Sequence, residues 1–159
     1  MGIDRHPFDD GRRLVLGGVP IPGSAGLRGH SDADVLTHAV CDAMLGALGL
    51  PDLGLRFPAS ARRWRGRGSL FFLRDIVKEM RSLRYEVGNL DAVILAERPI
   101  LGGQVGPMRR SLARALGCDP DRISLKPKRG EGLGFVGRGE GIEAHAAILL
   151  FPGAPQSRR

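Results

Sequence analysis

The sequence predicts a single α/β domain of two layers, an α+β arrangement in which helices pack on one face of a mixed β-sheet. Segments rich in β-branched and apolar residues alternate along the chain with segments of helical periodicity. The length of 159 residues suits one compact domain. We expect this domain to span residues 1–152 and a disordered tail to span residues 153–159.

Composition argues against nucleic acid or a membrane as the main partner. The 24 basic residues exceed the 17 acidic ones, which gives a net charge of +7. The arginines are dispersed, apart from ARRWRGRG at 61–68, and one Trp and one Tyr offer few surfaces on which bases could stack. No apolar run suits a membrane span, and the charged start lacks a secretion signal. We expect a cytoplasmic protein that binds a phosphate-rich small molecule, with RNA binding through 61–68 as a weaker hypothesis.

The first half of the chain predicts strands, one helix and a long loop. GIDRH at 2–6 and RLVLGGVPIP at 13–22 are typical of short strands, the second ending in a Gly/Pro turn. Residues 32–48 repeat apolar side chains at helical spacing, with Ser31 as the expected N-cap. Residues 51–68 show no usable periodicity, so we expect a long exposed loop there.

The second half alternates helices and strands. Ser69 is expected to cap the next helix, and Gly117 is expected to end a later one in the left-handed conformation. The other predicted elements are a strand over 85–97, a helix over about 107–116, the strand ISLKPK, the glycine-rich loop EGLGFVGRGEG and the final strand IEAHAAILLF.

Three side chains predict a metal site, provided that the fold brings them together. Asp4 and His6 stand two residues apart on a predicted strand, so their side chains share one face. His38 lies on the first predicted helix. Two imidazoles and one carboxylate suit zinc with an open fourth position, which is the arrangement of catalytic sites. The alternative is that His38 is a buried core histidine and that Asp4 and His6 form a solvated strand end.

Two segments predict anion binding. His30 and Ser31 stand at the expected start of a helix, where free backbone N–H groups favour a phosphate, although Ser31 as a simple N-cap explains the pattern equally well. Basic residues alternate with glycines over 126–141, so that backbone amides could approach an oxyanion closely. A plain glycine-rich turn is the alternative for this second segment.

Cys41, Cys118 and His145 have ordinary structural explanations. The two cysteines lie in different predicted elements, so we expect no disulfide, and Cys41 is expected to be a small buried thiol rather than a ligand. His145 alternates with apolar residues on the final strand, which predicts that it faces solvent or an interface.

Five segments together resemble the 2-C-methyl-D-erythritol 2,4-cyclodiphosphate synthase family of the non-mevalonate isoprenoid pathway. They follow one another over nearly the whole chain as DRHPFDDGRRLVLGGVPIP, GLRGHSDADVLTHAVCDAMLGALGL, PDLGLRFP, NLDAVILAERP and EGLGFVGRGEGI. The second and the last of these segments carry the motifs that are specific to this family.

This resemblance implies an enzyme. The implied reaction is cyclisation of 4-diphosphocytidyl-2-C-methyl-D-erythritol 2-phosphate with release of CMP, which makes the chain a phosphorus–oxygen lyase. The family implies a homotrimer with active sites between adjacent subunits, a zinc ion or another divalent cation, and a magnesium or manganese ion bound with the substrate diphosphate. A non-catalytic, zinc-containing relative that binds a phosphorylated ligand is the alternative.

The resemblance also implies roles for individual residues. Asp4, His6 and His38 would bind zinc, with Asp42 steadying His38, and Glu131 would bind the second metal ion. His30 would aid the transition state, and Arg129 would act as a catalytic phosphate clamp. The residues implied to contact substrate are Asp4, His6, His30, Ser31, Asp52, Gly54, Phe57, Ala96, Ile100, Leu101, Gly102, Glu131, Phe135 and Arg138.

Three departures from the family pattern concern substrate contacts. Residues 128–130 read Lys-Arg-Gly where the family has a run of threonines, and Arg129 is expected to replace the lost hydroxyl through its permanently charged, bidentate guanidinium. Ile100 stands where the family has a lysine in the nucleotide pocket. Ala59 and Ala61 stand where the family has carboxylates. The proposed zinc ligands are unaffected by these changes.

Overall fold

A five-stranded sheet with strand order β2-β1-β5-β3-β4 forms the centre of the computed structural model, which describes residues 1–64 and 66–153. Most of the predicted tail, residues 154–159, and residue 65 of the arginine-rich segment lie outside the described residues. The strands are β1 (Gly2–Leu16), β2 (Val19–Leu27), β3 (Tyr85–Leu95), β4 (Ile123–Lys128) and β5 (Gly141–Pro152). The helices are α1 (Val35–Ala47), α2 (Leu53–Arg56), α3 (Ser69–Ser82), α4 (Val105–Leu116) and α5 (Gly134–Gly137).

The sheet is mixed and its two faces differ, as the sequence predicts. β3 and β4 run parallel, whereas the other neighbouring strands pair antiparallel. Along β5, Ile142, Ala144 and Ala146 are buried in the hydrophobic core that the helices share, while Ala147 and Leu149 on the opposite face are exposed. The prediction of helices on one face of a mixed sheet is therefore confirmed.

None of the helices in the described ranges combines the length and the hydrophobicity that a membrane crossing requires.

The predicted strand over residues 13–22 is wrong, because the chain reverses in its middle. Leu16 pairs with Val19 across a two-residue turn made by Gly17 and Gly18, whose φ angles are 58° and 72°. Two consecutive positive φ angles are typical of the type I′ turn, which suits the twist of a β-hairpin and which glycine adopts without strain. One long strand, β1, therefore continues from the GIDRH segment to the hairpin.

The first helix begins at Val35, so the predicted start after a Ser31 cap is also wrong. The N-cap is Asp34, whose carboxylate accepts a hydrogen bond from the Thr37 backbone N–H at 3.0 Å. Ala33, just before it, has a φ of 53°, a left-handed conformation that cannot belong to an α-helix. Residues 28–34 therefore form a loop rather than the first turn of α1.

The Asp34 carboxylate also fastens the hairpin turn to α1. It accepts the backbone N–H groups of Gly17 at 2.9 Å and Gly18 at 2.6 Å, and the Thr37 hydroxyl donates to it at 2.7 Å. Burial raises the pKa of Asp34, against the opposing effect of these hydrogen bonds. Four hydrogen bonds to one fully buried carboxylate hold the end of β1 against the start of α1.

The segment over 51–68 is more ordered than a long exposed loop. Its described residues form α2 and a 3-10 turn at Arg62–Trp64. Phe57 packs against Trp64 with ring centroids 5.2 Å apart and against Phe72 of α3 at 4.8 Å. These aromatic contacts join side chains that are distant in sequence, so no local periodicity could reveal them.

The start of α3 differs from the prediction in its cap, whereas the end of α4 is as predicted. α3 begins at Ser69 and its N-cap is Gly68, so the predicted Ser69 cap is wrong. The Ser69 hydroxyl instead contacts side chains outside α3. Gly117 ends α4 with a φ of 70°, which confirms the predicted left-handed C-terminal residue.

β1 and α1 approach each other unusually closely at Gly2. A Cβ atom placed on Gly2 would lie 2.1 Å from the Ala39 carbonyl oxygen and 2.5 Å from the Ala43 backbone nitrogen. Both atoms belong to the backbone of α1 and cannot rotate away. Only glycine therefore permits this distance between the strand and the helix.

We predict that Gly2→Ala lowers the free energy of unfolding by about 1–3 kcal/mol or more, the usual cost of overpacking, because the new methyl group forces α1 off the sheet. Urea denaturation measures the change. Gly46→Ala is the matched control. A methyl group on this exposed glycine of α1 would meet no atom within 4 Å beyond the backbone of its own helix, so the substitution should be neutral or slightly stabilising. Equal stability of the two variants would contradict the argument.

Candidate metal centre and substrate cleft

Asp4, His6 and His38 meet at one point between β1 and α1. Asp4 and His6 point from the helix-covered face of β1, and His38 points towards them from the first turns of α1. One ligand atom from each of the three side chains lies within 4.8 Å of the others. Among the described residues, no other group of three or more His, Cys, Asp or Glu side chains is close enough together to hold a metal ion. The sequence prediction that these three residues converge is confirmed.

The donor atoms lie close enough together to share one metal ion. Asp4 Oδ2 lies 2.9 Å from His38 Nδ1 and 3.0 Å from His6 Nε2. Ligands about 2.1 Å from a tetrahedral zinc lie roughly 3.4 Å apart, so small side-chain rotations would admit the ion. The side chains retain exposures of 24% for Asp4, 22% for His6 and 13% for His38, which leaves one side of the group open to the cleft. The residues therefore fit a divalent cation with a vacant position.

Hydrogen bonds and charges within the group shift the pKa values of Asp4 and His38. Burial would raise the pKa of Asp4, but hydrogen bonds from His38 and His6 outweigh burial and hold this pKa far below its usual range. Burial would lower the pKa of His38, but the hydrogen bond and the negative charge of Asp4 outweigh it and raise this pKa. A proton on His38 and a metal cation therefore compete for the same negative charge on Asp4.

The metal centre forms the floor of a cleft of about 520 Å³. Seven of the predicted site residues line it, and the structure adds an apolar wall and an arginine that the sequence did not indicate. The predicted lining residues are Asp4, His6, His30, Ser31, His38, Gly54 and Phe57, and Asp42 and Ala59, which the resemblance placed near the site, also line the cleft. The additional ones are Leu53, Ser60, Arg62, Trp64 and Phe72.

His30 and Ser31 face the cleft from a loop, not from a helix N-terminus. Because α1 begins four residues after Ser31, the predicted anion site on the helix dipole is wrong in its physical basis. The loop is held instead by Arg12 of β1, whose guanidinium donates hydrogen bonds to the carbonyl oxygens of Gly29 and Ser31. Long-range contacts therefore position these two side chains.

Two acidic residues near the cleft bond to backbone N–H groups. Asp42 accepts the Leu53 N–H at 2.8 Å, so in this structure it anchors the start of α2 rather than steadying His38. Asp52 caps α2 by accepting the Leu55 N–H at 2.9 Å and does not itself line the cleft. Both contacts fix the short helix that presents Gly54 to the cleft.

The other predicted site residues do not line this cleft. They lie where β3 and β4 end and in the segment before β5, on the far side of β5 from Asp4 and His6. Ala96 and Leu101 are buried, whereas Ile100 and Glu131 are exposed. This second group comprises Ala96, Ile100, Leu101, Gly102, Arg129, Glu131, Phe135 and Arg138.

Glu97 organises the second group, a role that the sequence did not suggest. Its carboxylate pairs with the Arg129 guanidinium and accepts the Gly130 backbone N–H at 3.0 Å. The hydrogen bond from Arg129 is the main reason that the pKa of Glu97 is lowered. Arg138 pairs with Glu140 at 2.7 Å. Both arginines are thus oriented by carboxylates while more than half of each side chain remains exposed.

The two cysteines and His145 lie where the sequence predicts them. Cys41 is fully buried in the core and Cys118 is partly buried, and both are free thiols, as expected. His145 lies on the face of β5 opposite the helices, 2.6 Å from Glu143, with 36% of its side chain exposed. The prediction that it faces away from the core is confirmed.

Known proteins share this fold and sequence over most of the chain. A 2-C-methyl-D-erythritol 2,4-cyclodiphosphate synthase from Trichlorobacter lovleyi is 49% identical over 151 residues, which are 95% of this chain and 96% of that protein. The bifunctional IspDF from Campylobacter jejuni superposes with a TM-score of 0.90 at 36% identity, over 95% of this chain and 42% of that one.

A second solved structure, a 2C-methyl-D-erythritol-2,4-cyclodiphosphate synthase in its CDP-bound form, superposes with a TM-score of 0.87 at 37% identity, over 94% of this chain and 97% of that chain. The YgbB family model matches residues 1–151. The family resemblance that the motifs predicted is therefore confirmed, and this chain belongs to the YgbB family, together with the cyclodiphosphate synthases that it resembles.

Proposed function

We propose that this chain is a cytoplasmic 2-C-methyl-D-erythritol 2,4-cyclodiphosphate synthase. It would cyclise 4-diphosphocytidyl-2-C-methyl-D-erythritol 2-phosphate and release CMP. The convergence of Asp4, His6 and His38 at the floor of a cleft is the observation that carries the proposal, since it supplies a cation site in contact with space for a substrate. The names of its relatives favour this activity over a non-catalytic, ligand-binding role.

Asp4, His6 and His38 would hold a divalent cation, for which zinc is our proposal, and Glu131 would contribute to a magnesium or manganese site. A bound divalent cation polarises phosphoryl oxygens and neutralises the charge that develops on them. Three protein ligands would leave the cation accessible to an oxygen of the substrate diphosphate from the cleft.

The chemistry requires positioning more than proton transfer. The 2-phosphate attacks the β-phosphorus, a new P–O bond forms, and the bond to CMP breaks. A phosphate monoester with a second pKa near 6 is largely a dianion at neutral pH, so it needs no strong general base. His30 and Ser31, which line the cleft, would orient the phosphorylated methylerythritol end in line with the breaking bond.

An apolar wall completes this half of the site. Phe57, Trp64 and Phe72 line the cleft and pack on one another. They would exclude water from the reacting phosphates, which strengthens each electrostatic contact there and disfavours hydrolysis of the diphosphate. Gly54, which lines the cleft, and Asp52, which caps the same short helix, would bind the ribose.

The cytidine would be bound by the second group of residues, contributed by another copy of the chain. The proposed nucleotide pocket follows β3, which lies two strands away from β1 in the sheet, and consists of Ala96, Ile100, Leu101 and Gly102. Within one chain, this pocket and the metal centre therefore lie at separate places. A head-to-tail ring of copies joins unlike surfaces and brings such half-sites together. A homotrimer of this kind is our proposal for the assembly.

Arg129 and Arg138 would then approach the phosphates from the second copy, together with Phe135. Glu97 already holds one nitrogen of Arg129, which orients the guanidinium and leaves its other donors for a phosphate. In this proposal Arg129 replaces the hydroxyl that the family pattern places here, and the loss of carboxylates at Ala59 and Ala61 makes the cleft less negative.

We predict that the purified chain releases CMP from the cytidyl substrate with zinc and magnesium present, and that His38→Ala lowers kcat/KM by roughly 1,000-fold or more. The same substitution should weaken zinc binding by more than about 100-fold, beyond what loss of an outer contact costs. His145→Ala, on the opposite face of the sheet, is the control for zinc content. Zinc binding without CMP release by the wild type would support the non-catalytic alternative.

Metal affinity should depend on pH in a range set by His38. Because the pKa of His38 is raised above its ordinary value of about 6.5, a proton must leave before a metal can bind, and affinity should begin to fall already above that pH as the solution is acidified. Asp4, with its lowered pKa, contributes no proton in this range. Zinc competition titrations from about pH 9 down to about pH 6 measure this dependence. A flat affinity above the ordinary histidine pKa would contradict it.

Half-sites from separate copies should complement each other. His38→Ala disables the metal floor and Glu131→Gln disables the second group, so each variant alone should be nearly inactive. Co-expression of the two and isolation of mixed trimers should restore about one third of the wild-type rate, since in a closed ring of three that contains both variants one interface in three joins two intact half-sites. Mixed oligomers without activity would show that each site forms within a single chain.

A further inference from the structure

The ring nitrogen of His38 that faces away from Asp4 has its own hydrogen-bond partner. His38 Nε2 lies 2.8 Å from the hydroxyl of Ser69, the first residue of α3, and the Ser31 hydroxyl is farther away at 3.3 Å. Ser69 is fully buried, although it lies 31 residues from His38 in the sequence. The partners of this hydroxyl are the side chains of Asp32 and His38, so its orientation is set by contacts outside α3.

Asp32 determines the direction of that hydrogen bond. Its carboxylate accepts the Ser69 backbone N–H at 2.9 Å and contacts the Ser69 hydroxyl at close range. An ionised carboxylate can only accept, so the Ser69 hydroxyl gives its proton to Asp32. The lone pairs of the Ser69 oxygen then remain to accept a proton from His38 Nε2. His38 Nδ1 lies 2.9 Å from the Asp4 carboxylate, to which it donates while no metal is bound. When a metal takes the place of that proton, the acceptor at Ser69 keeps the remaining ring proton on Nε2, and Nδ1 becomes the metal ligand.

We propose that Ser69 and Asp32 are positioning residues that fix the tautomer and the ring orientation of His38 for metal binding. This inference rests on the metal centre of the proposed function and adds an outer layer to it. A ligating histidine gains basicity and a fixed orientation when its second nitrogen donates to an ordered acceptor. Here the acceptor is a serine that a carboxylate orients in turn.

The same contacts connect the metal centre to the wall of the cleft. Ser69 directly follows the segment that carries Phe57, Arg62 and Trp64. Asp32 approaches this junction so closely that a Cβ on Gly68 would lie 3.2 Å from its Oδ2. Correct placement of His38 and of the cleft wall therefore depends on one shared anchor.

The test compares zinc affinity in four variants by competition with a chromophoric chelator. Ser69→Ala keeps the backbone N–H bond to Asp32 and removes only the hydroxyl, and it should weaken zinc binding by about 10- to 100-fold. Ser69→Thr retains the hydroxyl and should stay within about threefold of the wild type. Ser82→Ala is the matched control, because Ser82 lies at the other end of α3 and its hydroxyl bonds to the Glu79 carbonyl of its own helix. It should bind zinc as the wild type does.

Asp32→Asn, the fourth variant, tests the direction of the contacts with almost no change of shape. The new amide donates to the Ser69 oxygen, so the Ser69 hydroxyl turns its proton towards His38 Nε2. That arrangement favours the ring proton on Nδ1, where it blocks the metal. We expect Asp32→Asn to weaken zinc binding at least as much as Ser69→Ala does.

Nuclear magnetic resonance of the histidine ring supplies a readout that a merely structural role would not change. In the zinc-loaded wild type, the His38 Nε2 proton should exchange slowly with water, and in zinc-loaded Ser69→Ala it should exchange rapidly. The inference is wrong if Ser69→Ala and Asp32→Asn bind zinc as tightly as the wild type does. It is also wrong if Ser69→Thr binds zinc as weakly as Ser69→Ala does although the two variants have the same melting temperature. In either case the proposed function stands. If the wild type binds no divalent metal, the proposed metal centre itself fails.

Discussion

The close contact between β1 and α1 at Gly2 is the constraint on which the site depends. With the Gly2 backbone against Ala39 and Ala43, the strand and the helix lie closer than any side chain larger than hydrogen would allow. Asp4 and His6 follow on the same face of β1, and His38 directly precedes Ala39 on α1. A strand and a helix held further apart would separate the three donor atoms. The core packing and the chemistry thus rely on the same glycine.

Two carboxylates in one loop have separate roles around this contact. Asp34 turns towards the hairpin and binds Gly17 and Gly18, while Asp32 turns towards the start of α3 and binds Ser69. Arg12 holds the same loop through two of its carbonyl oxygens. A loop with no regular hydrogen-bond ladder is thereby held from three sides, and its His30 side chain can face the cleft in a fixed position.

The order of strands in the sheet accounts for the division of the proposed site. β5 lies between β1 and β3, so residues that leave the end of β3 reach a different place from residues at the start of β1. Glu97 ties the segment after β3 to the segment after β4 through Arg129 and Gly130, which makes the second group a unit of its own. The fold therefore presents the two groups at separate places, and the proposed ring of copies rests on that separation.

The sequence alone determined the layer architecture, the mixed sheet and the three metal-site residues, because periodicity and motif content are local properties that survive without coordinates. It misplaced the start of α1 and the β-hairpin, where Asp34 both caps the helix and binds backbone N–H groups 16 and 17 residues away. It also missed Ser69, Glu97, Arg62 and Trp64 as parts of the two groups. Only the tertiary structure decided these, because hydrogen bonds and packing between distant segments leave no pattern in the neighbouring residues.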